Sequence, residues 1–463
     1  MALIAPFRGL RFNPDKINNL DEVITPPYDV ISEEDGAKFL EKNAYNMIQL
    51  DLRNNSHDSA EDGDAGRYRQ ARSLFDAWQE EQILVRDKQP CIYLYYIEYI
   101  HPSGRKMTRK GLISLVGLAE FAEGIVRPHE KTFEAVIVDR MRLVDECRAQ
   151  FSQVFSIYND SENVVISALE QAREPQPVCM VRDHLQNTHT LWRVTDRQAL
   201  DTVVRYFADL PVYIADGHHR YTTALGCRRN ALSRNPDLPA ASPYNFIMMY
   251  LCATRDEGLS VLPTHRLLDF PAAMTADAVI GKLKQGLEVE EINGGSRENL
   301  IAEILARMNE AVMTSSAPVF GLYHAGEDRS FLLTLKNKVD AYPSLAAKPE
   351  VLRDLDVVVL SELLFHDLLG LDHARLVREK LVNYFSDPDE GIDIAVKKSI
   401  ADDQRTPLLF LLNPTRINQV TRVADSGEIM PHKSTYFYPK IVTGLLINKL
   451  VEEERIAMPG QGR

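Results

Sequence analysis

The chain has 463 residues, 45% of them hydrophobic and 26% charged, with a formal net charge of −13. Such a length favours two or three domains and such a composition a globular protein with a large core. The acidic balance argues against non-specific nucleic-acid binding, which needs a basic face. No apolar run is long enough to span a bilayer, and the first ten residues do not read as a signal peptide. The five cysteines, at 91, 147, 179, 227 and 252, are odd in number and include no Cys-x-x-Cys. That fits a reduced compartment better than a disulfide framework or zinc ribbon. A cytoplasmic protein is expected.

Pro26-Pro27-Tyr28-Asp29-Val30-Ile31 is stiff, because proline fixes φ and restricts its predecessor. It reads either as a structural corner or as a mount presenting Tyr28 and Asp29 to a site. Ser32 is placed to cap a helix from Glu33 to about Lys42. The acidic stretch 54–66 has no period and reads as a loop. Tyr68, Ala71, Leu74, Phe75 and Trp78 share one face of a helix from about Arg67 to Gln82. Residues 91–100 and 106–118 read as a hairpin around His101-Pro102-Ser103-Gly104. Next comes Arg127-Pro128-His129-Glu130-Lys131-Thr132, a loop ahead of a helix of about Phe133 to Gln150. Loops at strand ends commonly carry chemistry in α/β proteins. This one offers cations for a phosphate and Glu130 as a general base, or else a solvated run of charge. Val154 to Tyr158 reads as a strand and 172–178 as a loop.

The chain is organised around residues 211–225. Pro211 to Ala215 is a short β-prone run, and from Tyr221 the apolar residues Tyr221, Ala224 and Leu225 take helical spacing. The change falls on Asp216, Gly217, His218, His219 and Arg220. Gly217 permits a sharp turn or a close approach. The residues after it would lie at a helix N-terminus, where N–H groups and the helix dipole attract anions. Two imidazoles and a guanidinium there suit a phosphate. The alternatives are a capped helix start with solvated side chains, or zinc, which adjacent histidines serve poorly.

Residues 245–253 are almost continuously apolar, as in a fully buried strand, and lead to Pro263-Thr264-His265-Arg266, read as a loop with His beside Arg. A helix near Thr275 to Gln285, Gly294-Gly295, a helix from Arg297 to Val312, the connector Ser315-Ser316-Ala317-Pro318, and strands at 319–323 and 330–335 suit a smaller α/β region. Residues 354–370 are helical, with Gly370 as the stop. Asp387-Pro388-Asp389-Glu390-Gly391 lacks the ligand spacing of a calcium loop and reads as a turn. Pro407 to Leu412 is a buried strand, Arg416 to Ala424 a helix ending near Gly427. Met430-Pro431-His432-Lys433-Ser434-Thr435 is a polar loop whose Lys433, Ser434 and Thr435 have the composition of a phosphate clamp, without the glycine spacing of a Walker A motif.

The run Asp216-Gly217-His218-His219-Arg220 after a short strand resembles the signature of the ParB/sulfiredoxin-like fold. Sulfiredoxins need a cysteine where this chain has His218, so the nearer resemblance is to archaeal free-serine kinases. The phrases at 26–31, 127–132, 263–266 and 430–440 run nearly end to end, and on them the chain is identified as similar to the family catalogued as domain of unknown function 1015. The resemblance implies an α+β fold: a ParB/sulfiredoxin-like mixed α/β core with an N-terminal extension over 1–270, a smaller α/β insertion or second domain over 271–345, and a C-terminal α/β part over 346–463 completing the site.

It further implies phosphoryl transfer to a small hydroxyl, foremost that of free L-serine, a reaction made of positioning and charge neutralisation. Glu130 is the expected base and Asp216 the second choice. His218, His219 and Arg220 would hold donor phosphates at the Gly217 turn, with Arg127, His129, Lys433, Ser434 and Thr435, then Thr264, His265 and Arg266, completing the anion pocket. Glu130 and Arg220 are expected to line one cleft. Mg²⁺ is expected, with ATP, ADP or pyrophosphate as donor; the metal ligands are not assigned. A small-molecule phosphatase and a non-catalytic nucleotide or ligand sensor are the competing readings. The expected partners are substrate and phosphate donor, without nucleic acid or membrane; a homo-oligomer is left open.

Overall fold

The computed structural model describes residues 2–51, 63–293, 297–314, 317–402 and 404–457. Most of the acidic stretch read as a loop, together with Gly294-Gly295 and Ser315-Ser316, lies outside the described residues; positions 63–66 belong to a helix instead. The chain forms two compact units. One comprises Met1–Leu259 with Pro439–Arg463, the other Ser260–Tyr438.

Nine strands make one mixed sheet in the first unit: β1 (Ile4–Ala5), β2 (Ile92–Ile100), β3 (Lys106–Gly117), β4 (Val126–Arg127), β5 (Val154–Tyr158), β6 (Cys179–Arg182), β7 (Thr188–Val194), β8 (Val212–Asp216) and β9 (Phe246–Ala253). The order is β4-β8-β5-β9-β3-β2-β7-β6, with β1 on β3. β2 and β3 form the expected hairpin. β9 lies antiparallel to β3 and parallel to β5. All its residues are buried, which is why it reads as a run rather than an alternation. β8 is parallel to β4 and antiparallel to β5, and its register against β5 slips between Ile214 and Asp216. A bulge of this kind re-aims the side chains at a strand end.

Helices α1 (Glu33–Lys42), α2 (Gly63–Glu80), α3 (Glu134–Cys147), α4 (Val164–Ala172), α5 (Arg197–Phe207) and α6 (His218–Arg234) belong to this unit. The Ser32 hydroxyl caps α1 by accepting from the Asp35 N–H. α3 ends earlier than its periodicity suggests, because Arg148 turns to φ 49° and Ala149–Gln150 pairs with Asn448–Lys449. α4 and α5 send Val165, Leu169, Val203 and Phe207 into a core shared with Leu94 and Ile214. Phe75 and Trp78 of α2 meet Leu143 of α3, Phe151 and Ile447 in a second core.

In the second unit, β10 (His265–Phe270), β11 (Leu287–Ile292), β12 (Val319–His324), β13 (Arg329–Leu335), β14 (Val382–Phe385) and β15 (Thr406–Leu411) form an antiparallel sheet, ordered β11-β13-β12-β15-β10-β14. β15 pairs with both β12 and β10, so 271–345 and 346–438 share a sheet rather than dividing at 345. The first boundary falls at 259 rather than 270, since β10 belongs to that sheet. Helices α7 (Ala276–Leu283), α8 (Arg297–Thr314), α9 (Pro388–Ala401) and α10 (Ile417–Ser426) belong here. Two local readings change. His265 and Arg266 are in a buried strand, not a loop. Residues 388–391 open α9: Asp387 accepts from the Asp389 N–H at 3.0 Å, and Pro388 fits the first helical position. Residues 356–368 are helical, with a wide-turned segment over Leu360–Leu368. Among the described residues no helix is long and apolar enough to cross a membrane.

Candidate active site

β8 ends on Asp216 and α6 begins at His218, so the polar run spans a strand-to-helix turn. Gly217 is the hinge. Its φ is 92°, and a Cβ there would sit 2.9 Å from the Arg220 guanidinium carbon. Both the left-handed backbone and the close approach require glycine.

Successive side chains of a helix point about 100° apart, and the first turn of α6 divides its work accordingly. His218 and His219 face the 127–133 loop. The His129 N–H donates to His218 Nε2 at 3.3 Å, and the Phe133 N–H to His219 Nε2 at 3.0 Å. The His129 and His218 rings meet edge to face at 4.6 Å, and the Phe133 and His219 rings stack at 5.7 Å. Burial, seconded by His129, pulls the His218 imidazole down to about 3 despite Glu130 and Asp216. His218 is therefore neutral at pH 7. With Nε2 accepting, its proton sits on Nδ1, which lies 3.6 Å from Glu130 Oε2. That separation is an electrostatic contact, longer than a hydrogen bond.

Arg220 faces away from this loop. Its Nη2 donates to Asp216 Oδ2 at 2.5 Å and its Nη1 to the Gln153 carbonyl. The other Asp216 oxygen accepts from Lys440 Nζ, also at 2.5 Å. Burial opposes the Asp216 charge, but Lys440 and then Arg220 outweigh it and hold this carboxyl well below the usual range. Arg127 turns back on its own loop, donating from Nε to the Gly124 carbonyl at 2.9 Å, with its guanidinium over the Tyr213 ring.

The structure thus gathers His129, Glu130, His218 and His219 around the start of α6, with Asp216, Arg220 and Lys440 tied together by ion pairs at the same turn. Arg220 also lines a cavity with Tyr28, Asp51 and Arg140; Glu130 is not among its walls. Arg140 stacks over Tyr28 at 4.5 Å and donates to Asp51 Oδ1 at 3.0 Å. Burial, with Asp29 and Asp51 assisting, pushes the Tyr28 phenol up to about 12 against Arg220 and Arg140.

Within the second unit, Arg266 donates to the carbonyls of Thr264 and Lys433, each at 2.7 Å, and lies 4.5 Å over the Tyr384 ring. Burial brings this guanidinium down to about 10. His265 Nδ1 accepts from the Leu412 N–H, and burial lowers that imidazole to about 4. The Ser434 hydroxyl donates to the Pro431 carbonyl at 2.5 Å, Lys433 has a left-handed φ of 57°, and Thr435 precedes the strand Tyr436–Tyr438. The hydrogen bonds of Arg266 and Ser434 hold backbone.

Sequence reasoning missed Lys440, Asp51 and Arg140. Lys440 stood at the end of the phrase 430–440, where the hydroxyl-flanked Lys433 drew attention instead. Asp51 and Arg140 carried no motif; only the fold pairs them. Among the described residues no group of three or more His, Cys, Asp or Glu is placed to hold a metal by itself.

The family model described as Protein of unknown function (DUF1015) matches residues 4–358. No curated protein matches the chain. Among solved structures, a free serine kinase in complex with AMP is similar at 13% identity, covering 70% of this chain and 89% of its own, with a TM-score of 0.31. A conserved hypothetical protein from Pyrococcus furiosus is 13% identical over 71% of this chain and 94% of its own, TM-score 0.32. SbnI with C-terminal truncation from Staphylococcus aureus is 9% identical over 74% and 90%, TM-score 0.33.

Proposed function

We propose that this chain, which belongs to the family described as Protein of unknown function (DUF1015), is a phosphotransferase acting on a small hydroxyl substrate, foremost free L-serine to give O-phosphoserine. The observation that carries the reading is the pairing of the Glu130 loop with the first turn of α6 through His129–His218 and Phe133–His219. It sets a carboxylate beside a neutral imidazole at a helix N-terminus. The likeness of the Asp216 to Arg220 run to the ParB/sulfiredoxin-like signature agrees with this reading.

In this reading Glu130 accepts the proton of the attacking hydroxyl, and His218, its Nδ1–H directed at that carboxylate, orients it. The N-terminal N–H groups of α6 and its dipole meet the negative charge on the transferred group. Arg220 uses one N–H on Asp216 and one on Gln153, and a guanidinium has five, so three remain for a donor phosphate. Asp216, with both oxygens engaged by cations, holds Arg220 and Lys440 in place rather than acting as a base. Arg127 and His129 flank the loop. In the second unit Thr264, His265, Arg266, Lys433, Ser434 and Thr435 stay candidates for anion contacts.

Mg²⁺ is commonly held by one or two carboxylates and the substrate's phosphates. Scattered carboxylates such as Glu130 fit a metal that arrives with the phosphate donor better than a resident one, and bound Mg²⁺ would neutralise charge on those phosphates.

The test is to incubate the protein with L-serine, Mg²⁺ and, separately, ATP, ADP and pyrophosphate, and to follow phosphoserine by phosphorus NMR. Phosphoserine with at least one donor is expected. Phosphate released from added phosphoserine, with none formed, would make the protein a phosphatase. Tight nucleotide binding with neither reaction would make it a sensor.

A further inference from the structure

One buried carboxylate of the first unit is only half satisfied. Asp51 is 6% exposed. Its Oδ1 accepts from Arg140, whereas Oδ2 is buried without a hydrogen-bond partner. Burial raises this carboxyl above its ordinary value, although Arg140 and Arg220 oppose the shift. The Thr223 hydroxyl is likewise buried and unpartnered. Such atoms are costly unless something meets them.

Both residues line one cavity of about 50 Å³ between α3 and α6, beside Arg220 of the candidate active site. A water needs roughly 10–15 Å³, so the space takes a handful of heavy atoms. A neighbouring cavity of about 370 Å³ shares Tyr28, Asp51, Arg140 and Leu143 with it, so a ligand reaching Asp51 has room to extend.

An ionised carboxylate only accepts hydrogen bonds, and its strongest partners are cationic N–H groups. The two guanidiniums nearby are each already matched, Arg140 by Asp51 and Asp139, Arg220 by Asp216. What the cavity lacks is one more small cation facing Oδ2. We propose that Asp51 binds the ammonium group of a small primary amine, with Thr223 as its hydroxyl partner, making the substrate class amino alcohols and hydroxy amino acids. The hydroxyl end of that ligand rests on the phosphotransferase reading; its amine end does not.

Binding of three probes to the full chain, followed by calorimetry, tests this. L-Serine and ethanolamine carry the amine; glycerate keeps the hydroxyl and carboxylate without it. Serine and ethanolamine are expected to bind, and glycerate at least tenfold more weakly than serine. Asp51→Asn should weaken serine at least tenfold and leave ATP affinity unchanged, and Thr223→Val should weaken serine less. Glycerate binding as tightly as serine, no binding of either amine, or unchanged serine affinity in Asp51→Asn would each overturn the proposal. The probe comparison on the unaltered protein decides even if the variants do not fold. Amine-dependent binding without phosphoserine sinks only the phosphotransferase reading. Phosphoserine formed by Asp51→Asn at an unchanged KM for serine sinks only this one.

Discussion

Asp216 is held by two cations of very different sequence distance: Arg220, four residues on, and Lys440, 224 residues on, each at 2.5 Å. Breaking a buried pair by removing one partner costs about 3–5 kcal/mol, because the charge left behind is uncompensated. Lys440→Met should lower stability in chemical denaturation by less than that, because Arg220 still faces the Asp216 carboxylate. It should also weaken any donor phosphate held by Arg220, since Asp216 would then draw on that guanidinium alone. Unchanged stability in Lys440→Met would show that this contact contributes nothing.

Acid sensitivity should come in two windows. His218 is pulled down to about 3 in the folded protein, below its unfolded value of about 6.5. The folded state therefore resists protonation there, and stability falls as pH drops from about 6.5 towards 3. Asp216 is lowered too, but a lowered carboxylate contributes stability above its unfolded value of about 3.9 and loses it below. Denaturation midpoints of His218→Gln should be flatter than wild type between pH 6.5 and 4; those of Asp216→Asn should flatten only below about pH 4. Parallel curves for His218→Gln and wild type above pH 4 would contradict a neutral, buried imidazole.

If Glu130 takes the hydroxyl proton, Glu130→Gln should lower turnover about 10²- to 10⁴-fold, the usual contribution of a general base, while serine binding survives. An unchanged rate would move the role to Asp29.

Gly217→Ala should be worse than a typical turn substitution. A left-handed backbone costs a non-glycine residue of order 1–3 kcal/mol, and the new methyl would crowd the Arg220 guanidinium. Loss of both stability and phosphate-donor affinity is expected, by thermal melts and calorimetry. A variant with wild-type melting and binding would show that the turn tolerates a side chain.

Local signals served the elements well and the assembly poorly. The period change at Asp216 to Arg220 is written in five adjacent residues, and so is the apolar run of β9, because both depend on neighbours in sequence. β10 was missed at its start because Thr264, His265 and Arg266 look like surface chemistry; what makes Arg266 a strand residue is its pairing with Tyr384 and Phe410, 118 and 144 positions away. α9 was missed because Asp387-Pro388-Asp389-Glu390-Gly391 contains as many turn formers as helix starters. In the candidate site, Glu130 and His218 were legible as types at suggestive positions. The contact that joins them was not, since it runs between residues 88 positions apart. Lys440 and Asp51 acquire meaning only through residues 224 and 89 positions away.

The first unit takes its last pieces from the far end of the chain. Pro439 onward supplies Lys440 to Asp216, Asn448–Lys449 to the Ala149–Gln150 strand, and Ile447 to the core around Phe75 and Trp78. Synthesis runs from the N-terminus, so a growing chain has all 179 residues of Ser260–Tyr438 to make before any of these arrive. Until then Asp216 has only Arg220, and the core around Phe75 and Trp78 lacks Ile447. The intervening unit, whose strands pair only among themselves, is free to fold first. Maturation of the candidate site is thus tied to synthesis past Pro439: a ribosome that stalls short of it leaves a chain that carries Glu130, His218 and the Asp216–Arg220 pair but lacks the second cation on Asp216.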